Sequence, residues 1–159
     1  MDELRDRIEA LEARLRVVED ELALYRLMTS YGPAADSGDG VKASEIWTED
    51  GVYDADGPGV MAGRGAIVAM LSQEGHQSMV PGCAHLNHPV IIDIEGNHAT
   101  AVGYSQVWRT DDGQHRVFRL AANRWEFERT DEGWRVLRRT NRRLGTDESR
   151  EILHSASRQ

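Results

Sequence analysis

Leu4, Ile8, Leu11, Leu15, Val18, Leu22 and Tyr25 recur at alternating spacings of four and three residues. That is a heptad seam held for about three repeats, with charged residues filling most positions between. A helix that covers only its own core carries a wider apolar stripe. The narrow seam therefore predicts that another helix, from a second copy of the chain, packs against its N-terminal part. After Leu22 the helix is expected to lie on its own sheet. The pattern carries the helix to about Ser30, and Pro33 is expected to break it, because proline lacks the N–H that a helix interior needs. "ADSGDG" then reads as a turn. "VKASEIWTEDG" reads as a short helix ending at Gly51, "VYDADG" and "GVMAG" as a short hairpin, and "RGAIVAMLSQEG" as a third helix with Ile67, Met70 and Leu71 on one side.

After His76 the texture changes. The turn signals "EGN", "DDG" and "DEG" separate strands of about ten residues, which predicts four long strands in an antiparallel meander. Helices first and strands afterwards is the order of an α+β fold, with helices on one face of an antiparallel sheet. "DESREILHSAS" reads as a final short helix or a loose tail. The chain divides into a heptad helix extension (1–19), a main domain (20–145) and a C-terminal segment (146–159).

Composition narrows the partners. A chain of 159 residues is expected to form one domain with a real core. A net charge of −8 argues against nucleic acid and against an anionic membrane surface. No apolar run approaches the ~20 residues of a membrane span. The acidic start "MDELRDRIEALEARL" resembles neither a signal nor a transit peptide, so a cytoplasmic location is expected. Cys83 is the single cysteine, which excludes an intrachain disulfide framework and a cysteine-rich zinc site. His85 and His88, three apart on a strand, point to opposite faces. His76, His98 and His115 fall in loops or turns without ligand spacing. Neither a metal nor another cofactor is expected.

The chemistry-bearing candidates are few. A neutral histidine ordinarily titrates near working pH and can take a proton from carbon or oxygen. A carboxylate bonded to its second nitrogen fixes the tautomer and stabilises the imidazolium. Asp36 and His85 have those residue types. Taken alone, Asp36 fits a turn or cap carboxylate and His85 a satisfied strand residue equally well. Val117, Arg119, Ala121, Asn123, Trp125 and Phe127 share one strand face, as do Leu137, Arg139, Asn141 and Arg143. Polar groups on an interior face cost about 1–3 kcal/mol each when unpaired, so Arg119, Asn123, Arg139 and Asn141 suit a cavity lining. The same residues could instead be a solvated face or a charged sheet edge. Small Ala101, Gly103 and Ser105 leave room in front of the neighbouring strand, and Trp47 reads as a wall residue.

The segments "YGPAAD", "SEIWTEDGVYD", "GRGAIVAML", "HLNHPVIID" and "WEFERTDEGWRVLRR", in this order, resemble the SnoaL-like branch of the nuclear transport factor 2-like superfamily over residues 20 to 145. The resemblance implies a cone-shaped half-barrel, its curved antiparallel sheet wrapped around the N-terminal helices. It also favours the strand register in which Arg119 and Asn123 face the cavity. Scytalone dehydratase, bile-acid dehydratase and hexachlorocyclohexane dehydrochlorinase, in this superfamily, use an Asp–His dyad at the positions of Asp36 and His85. The dehydratases add a tyrosine, pointing to Tyr31 and Tyr53. Arg139 matches an arginine five residues after the last-strand tryptophan, here Trp134. Tyr31 departs from the dehydrochlorinase, which has lysine there. The implied activity is a cofactor-independent lyase or isomerase of dehydratase or cyclase type. Asp36, His85 and Tyr31 would be catalytic, and Tyr53, Arg139, Arg119, Asn123, Asn141 and Trp47 would bind a small oxygenated ring. The other reading is a non-catalytic ligand-binding module of the same fold. Epoxide hydrolysis needs a second aspartate that the sheet face does not offer. A homo-oligomer, dimer or trimer, is expected.

Overall fold

The computed structural model describes residues 2–156; Met1 and residues 157–159, the ends of the extension and of the C-terminal segment, lie outside it. The heptad positions and the turns behind them belong to one helix, α1 (Asp2–Asp36). It does not break near Ser30, since Pro33 sits inside it. Pro33 removes the donor for the Thr29 carbonyl, but Thr29 and Pro33 lie on the exposed side of the helix, where water can take that bond. What ends α1 is Gly38 at φ 79°. There the Ser37 and Asp39 N–H groups close on the carbonyls of Pro33 and Ala34 at 3.0 and 3.1 Å. Asp36 is thus the last helical residue rather than part of a loop.

The second helix is also shorter than the sequence suggests. α2 spans Gly40–Ser44 and is capped by Asp39, whose side chain accepts the Lys42 N–H at 2.9 Å. Trp47 already opens β1 (Trp47–Ala55), so "VKASEIWTEDG" is not one helix to Gly51. Aromatic and β-branched residues in that stretch pack better on a sheet. β1 is irregular around Gly51, where a Cβ would lie 2.8 Å from the Val136 carbonyl oxygen. There follow β2 (Gly59–Ala62), α3 (Arg64–Leu71), α4 (Glu74–Gln77) and a 3₁₀ turn (Val80–Gly82). The meander comes next as β3 (Cys83–Glu95), β4 (His98–Asp111), β5 (Gln114–Thr130) and β6 (Gly133–Arg143), then α5 (Asp147–Ser155).

The six strands form one sheet in the order β2-β1-β6-β5-β4-β3. The β1–β6 pair is parallel and the others antiparallel. Leu24, Met28, Tyr31 and Ala35 from α1, with Ile67 and Leu71 from α3, are buried on one face against Trp47, Trp125, Phe127 and Val136. α5 covers the other face, where Ile152 packs on Val102 and Ala122. The architecture is α+β with an unclosed sheet.

Two bulges reassign residues between the faces. Glu126 pairs with Arg138 but Phe127 with Val136, leaving Leu137 over. The inner face of β6 therefore reads Trp134, Val136, Arg139, Asn141, all buried, and Leu137 does not share it as even spacing predicts. On β5, Val107 pairs with Arg119 and Trp108 with Val117, leaving Phe118 over, so Val117 falls out of step with the Arg119–Phe127 face.

α1 leaves the domain at Asp20. Its two carboxylate oxygens take both terminal nitrogens of Arg129 at 2.8 and 2.6 Å, and one also accepts from Trp134 Nε1 at 3.0 Å. At its other end α1 lies against β3 with no gap. A Cβ added at Gly32 would stand 2.2 Å from the His85 carbonyl oxygen. Gly32→Ala gains about 1 kcal/mol of helix propensity but forces two backbones apart, and overpacking costs typically about 1–3 kcal/mol. We expect net destabilisation, seen as a lowered denaturant midpoint. An unchanged or raised midpoint would show that α1 is free to move away from β3.

Candidate active site

The approach at Gly32 sets the C-terminus of α1 beside the start of β3, and so brings Asp36 to His85. Asp36 Oδ1 and His85 Nδ1 are 2.6 Å apart, and the backbone N–H of His85 donates to Asp36 Oδ2 at 2.7 Å. The Cys83 thiol also donates to Oδ1, at 3.3 Å. Burial on its own would raise the Asp36 carboxyl. The bonds from the His85 ring and backbone, the His85 charge and the Cys83 thiol outweigh it and hold the group below the ordinary carboxylate range. An ionised carboxylate only accepts, so Nδ1 carries the hydrogen and Nε2 is the basic nitrogen of the neutral ring. Burial and the adjacent Asp36 push the Cys83 thiol up to about 12, which makes Cys83 a donor and not a nucleophile.

Tyr31 precedes the dyad on α1 and is 2% exposed. Its ring meets His85 edge-on at 6.0 Å, Trp47 at 5.6 Å and Tyr53 at 6.2 Å. Burial first, then the neighbouring Tyr53, push its phenol upward against the opposing pull of Arg139. Tyr31 keeps its proton and can donate it to a hydrogen bond.

These groups border a cavity of about 240 Å³, lined among others by Tyr31, Tyr53, His76, His85, Arg119 and Arg139. Arg139 is 3% exposed. Its Nε donates to Asn123 Oδ1 at 2.9 Å and its Nη2 reaches Asn87 Oδ1 at 3.5 Å. Among the described residues Nη1 has no partner. The guanidinium lies over Trp125 at 4.2 Å and over Tyr31 and Tyr53 at 4.9 Å each. Ring faces take part of the place of water for this buried cation, yet a buried charge stays costly until an opposite charge or an acceptor meets it.

The polar network behind Arg139 runs in one direction. Arginine can only donate, so Asn123 turns its oxygen to Arg139 and its Nδ2 to Ser105 Oγ, at 2.7 Å. Asn141 Nδ2 donates to Asn123 Oδ1 at 2.9 Å and to Ser105 Oγ at 3.2 Å, while Asn141 Oδ1 accepts from Arg119 Nη2. Ser105 Oγ already receives two donors, so its own hydrogen is free for an acceptor in the cavity that Ser105 also lines. The wall thus offers His85 Nε2 as a basic nitrogen and Tyr31 Oη, Ser105 Oγ and the Arg139 guanidinium as donors, with the His76 ring and the Asp56 carboxylate also on it. Such a site can take a proton and neutralise negative charge arising on an oxygen nearby.

His85, Tyr31, Tyr53, Arg139, Arg119 and Asn141 thus meet around one cavity, with Asp36 behind His85. Asn123 does not line it and stands behind Arg139, Ser105 and Asn141, to each of which it is hydrogen-bonded. Trp47 is not a wall residue: fully buried, it backs Tyr31 and Tyr53. His88 is exposed. Sequence reasoning passed over His76, which α4 carries into the interior at 8% exposure, its ring stacked 5.8 Å from His85 and both nitrogens unpartnered among the described residues. Burial, then the charge of His85, hold His76 below the ordinary histidine range. Nothing in "QEGHQS" signals this. Asn87 was also missed, although its spacing of two from His85 on a strand was available. Among the described residues, Asp36, Cys83 and His85 form the group whose donor atoms, within 4.8 Å of one another, could hold a metal ion. Binding one would require the thiol and Nδ1 to give up the hydrogens that now bond them to Asp36.

Comparison with known proteins agrees with this geometry at the level of family. Residues 16–140 match the SnoaL-like domain. Comparison with curated proteins gives no match. An NTF2-like protein with a cystatin-like fold from Novosphingobium aromaticivorans is 43% identical, with a TM-score of 0.87 over 90% of this chain and 94% of that one. A protein from Catenulispora acidiphila, solved in complex with S-DNPA, is 23% identical with a TM-score of 0.66, over 83% of this chain and 98% of that one. The Aln2 protein of a Streptomyces species is 15% identical with a TM-score of 0.70, over 88% and 96%. The last two share the fold alone. With its unclosed sheet wrapped on the inner half of α1, and with a domain match running from before Asp20 to Thr140, the chain belongs to the SnoaL-like family of the NTF2-like superfamily.

Proposed function

We propose that the chain is a cofactor-independent lyase or isomerase that moves a proton beside a carbonyl on a small oxygenated ring. The observation that carries this reading is the 2.6 Å Asp36–His85 bond at the edge of a cavity that Tyr31, Ser105 and Arg139 also line as donors. His85 Nε2 would take a proton from the carbon next to the carbonyl, and Asp36 would balance the imidazolium formed. The charge passing to the carbonyl oxygen would meet Tyr31, Ser105 and Arg139. Return of the proton to another carbon gives an isomer; its delivery to a departing hydroxyl gives an elimination. A volume of about 240 Å³ lies just below the range of roughly 300–1,000 Å³ typical of drug-sized ligands, which supports a compact substrate. The Catenulispora acidiphila complex with S-DNPA supports a ligand in this fold. A direct dyad bond facing an open cavity favours catalysis over the reading of a binding module, which would need no base.

The test is turnover of a panel of cyclic β-hydroxy ketones, read as enone absorbance and as α-hydrogen exchange in deuterated water by NMR. General acid–base groups contribute about 10²–10⁴-fold. His85→Ala and Asp36→Asn should each lower kcat by at least about 100-fold while leaving the circular dichroism spectrum unchanged. Full activity of either variant removes the dyad from the mechanism. Binding of a panel member by the wild type without turnover would instead support the binding module. Arg139→Gln should lower kcat/KM with the fold retained; an unchanged value would mean that this cation does not face the reacting oxygen.

The depressed Asp36 carboxyl also fixes a pH dependence. Its folded pKa lies below the unfolded value of about 3.9. The group therefore stabilises the fold above that pH, and this contribution is lost as pH falls through the folded value. Denaturant titrations should show wild type losing stability below about pH 4 more steeply than Asp36→Asn. Parallel curves would contradict the assignment.

A further inference from the structure

Leu4, Ile8, Leu11, Leu15, Val18 and Leu22 are 47% to 64% exposed, an apolar strip of the kind a soluble chain covers. The domain holds the opposite side of the helix. Asp20 is tied to Arg129 and Trp134, while Leu24 and Met28 are buried. At 3.6 residues per turn Asp20 faces away from both Val18 and Leu22, and Leu24 faces away from Leu22. A second helix can therefore lie along the seam with both domains on the outside.

We propose that the occupant is the same seam of a second copy, in a parallel, in-register, two-stranded coiled coil. Ile8, Leu15 and Leu22 take the a positions, and Leu4, Leu11 and Val18 the d positions. Tyr25, the next d in register, is held by its own chain, its hydroxyl donating to the Val90 carbonyl at 2.8 Å. The flanking e positions are Arg5, Glu12, Glu19 and Arg26, and the g positions Arg7, Arg14 and Glu21. All are charged, which keeps the buried strip as narrow as a two-stranded seam requires. In a parallel pair each g residue faces the e residue of the partner's next heptad. Arg7 then meets the partner's Glu12, Arg14 meets the partner's Glu19, and Glu21 meets the partner's Arg26. Every pair is of unlike charge. The full-length antiparallel alignment, with Leu11 opposite the partner's Leu15, would set Arg14 against the partner's Arg14 and Glu12 against the partner's Glu12. Arg7 and Arg5 would still meet the partner's Glu21 and the partner's Glu19, but the like pairs at the centre of the strip leave this alignment weaker than the parallel one, in which every pair is unlike.

The experiment uses the full chain carrying Leu11→Cys, with wild type as control for the native thiol, under glutathione oxidation and non-reducing electrophoresis. Sedimentation equilibrium gives the mass. A parallel in-register pair places the two introduced thiols side by side and yields a cross-linked dimer absent from wild type. Wild type should sediment at twice the 17.8 kDa chain mass. Leu15→Glu should weaken association at least about tenfold, equivalent to about 1.4 kcal/mol. Arg14→Glu should weaken it, and adding Glu19→Arg should restore it, a rescue the antiparallel alignment cannot give. Circular dichroism checks that each variant is folded. A monomer at tens of micromolar, a dimer without the cross-link or a dimer indifferent to Leu15→Glu overturns the proposal. A trimer mass overturns its two-stranded form.

Discussion

One carboxylate organises the inner half of this molecule. Asp36 takes three hydrogen bonds, from the His85 ring, the His85 backbone and the Cys83 thiol, and it does so at the junction between the longest helix and the first meander strand. An ionised carboxylate taken from water needs several donors to offset its lost solvation. Only the start of β3 supplies them. The end of α1 must therefore lie on β3, which requires a residue without a side chain at Gly32 and a helix that continues through Pro33. The apolar, Gly- and Pro-containing "YGPAAD" segment is thus the seat of a charged group: Tyr31, Ala34 and Ala35 bury the helix end, and Asp36 emerges where donors wait.

The opposite wall of the cavity obeys a complementary constraint. The chain carries a net charge of −8, yet Arg139, its deeply buried guanidinium, is met by amide oxygens and aromatic rings rather than by a carboxylate. An ion pair there would have quenched the cation. Amides fix its position and leave its charge in place. Asn123, Asn141 and Ser105 pass that orientation along, so the donors face inward together.

Much of this was legible in the sequence because it rests on periodicity or on turn chemistry. The heptad positions, the three Gly-containing meander turns and the hairpin before α3 follow from local rules. The helix end did not, because a proline breaks a helix only where the carbonyl it strands cannot reach water, and the exposure of Pro33 and Thr29 is set by the fold. The early start of β1 at Trp47 depends on pairing with β6, a partner about ninety residues away. The bulges at Phe118 and Leu137 each shift a face by one residue, and period-two reasoning has no means of seeing an inserted residue. Asp36 and His85 could be named by residue type and family resemblance, but their separation is a property of the Gly32 approach. His76 was invisible for a similar reason: a four-residue helix of polar sequence becomes interior only when the sheet folds over it.

The close approach at Gly32 has a kinetic side as well. Neither the last turn of α1 nor the first residues of β3 can shift inward, because backbone already meets backbone there. Outward movement of either breaks the same three bonds to Asp36. The two segments are therefore expected to open together, as one cooperative unit, with the amide hydrogen of His85 exchanging only when the helix end lifts. Slow exchange at that amide would report the integrity of the whole junction, since the hydrogen it protects is itself one of the bonds that hold Asp36.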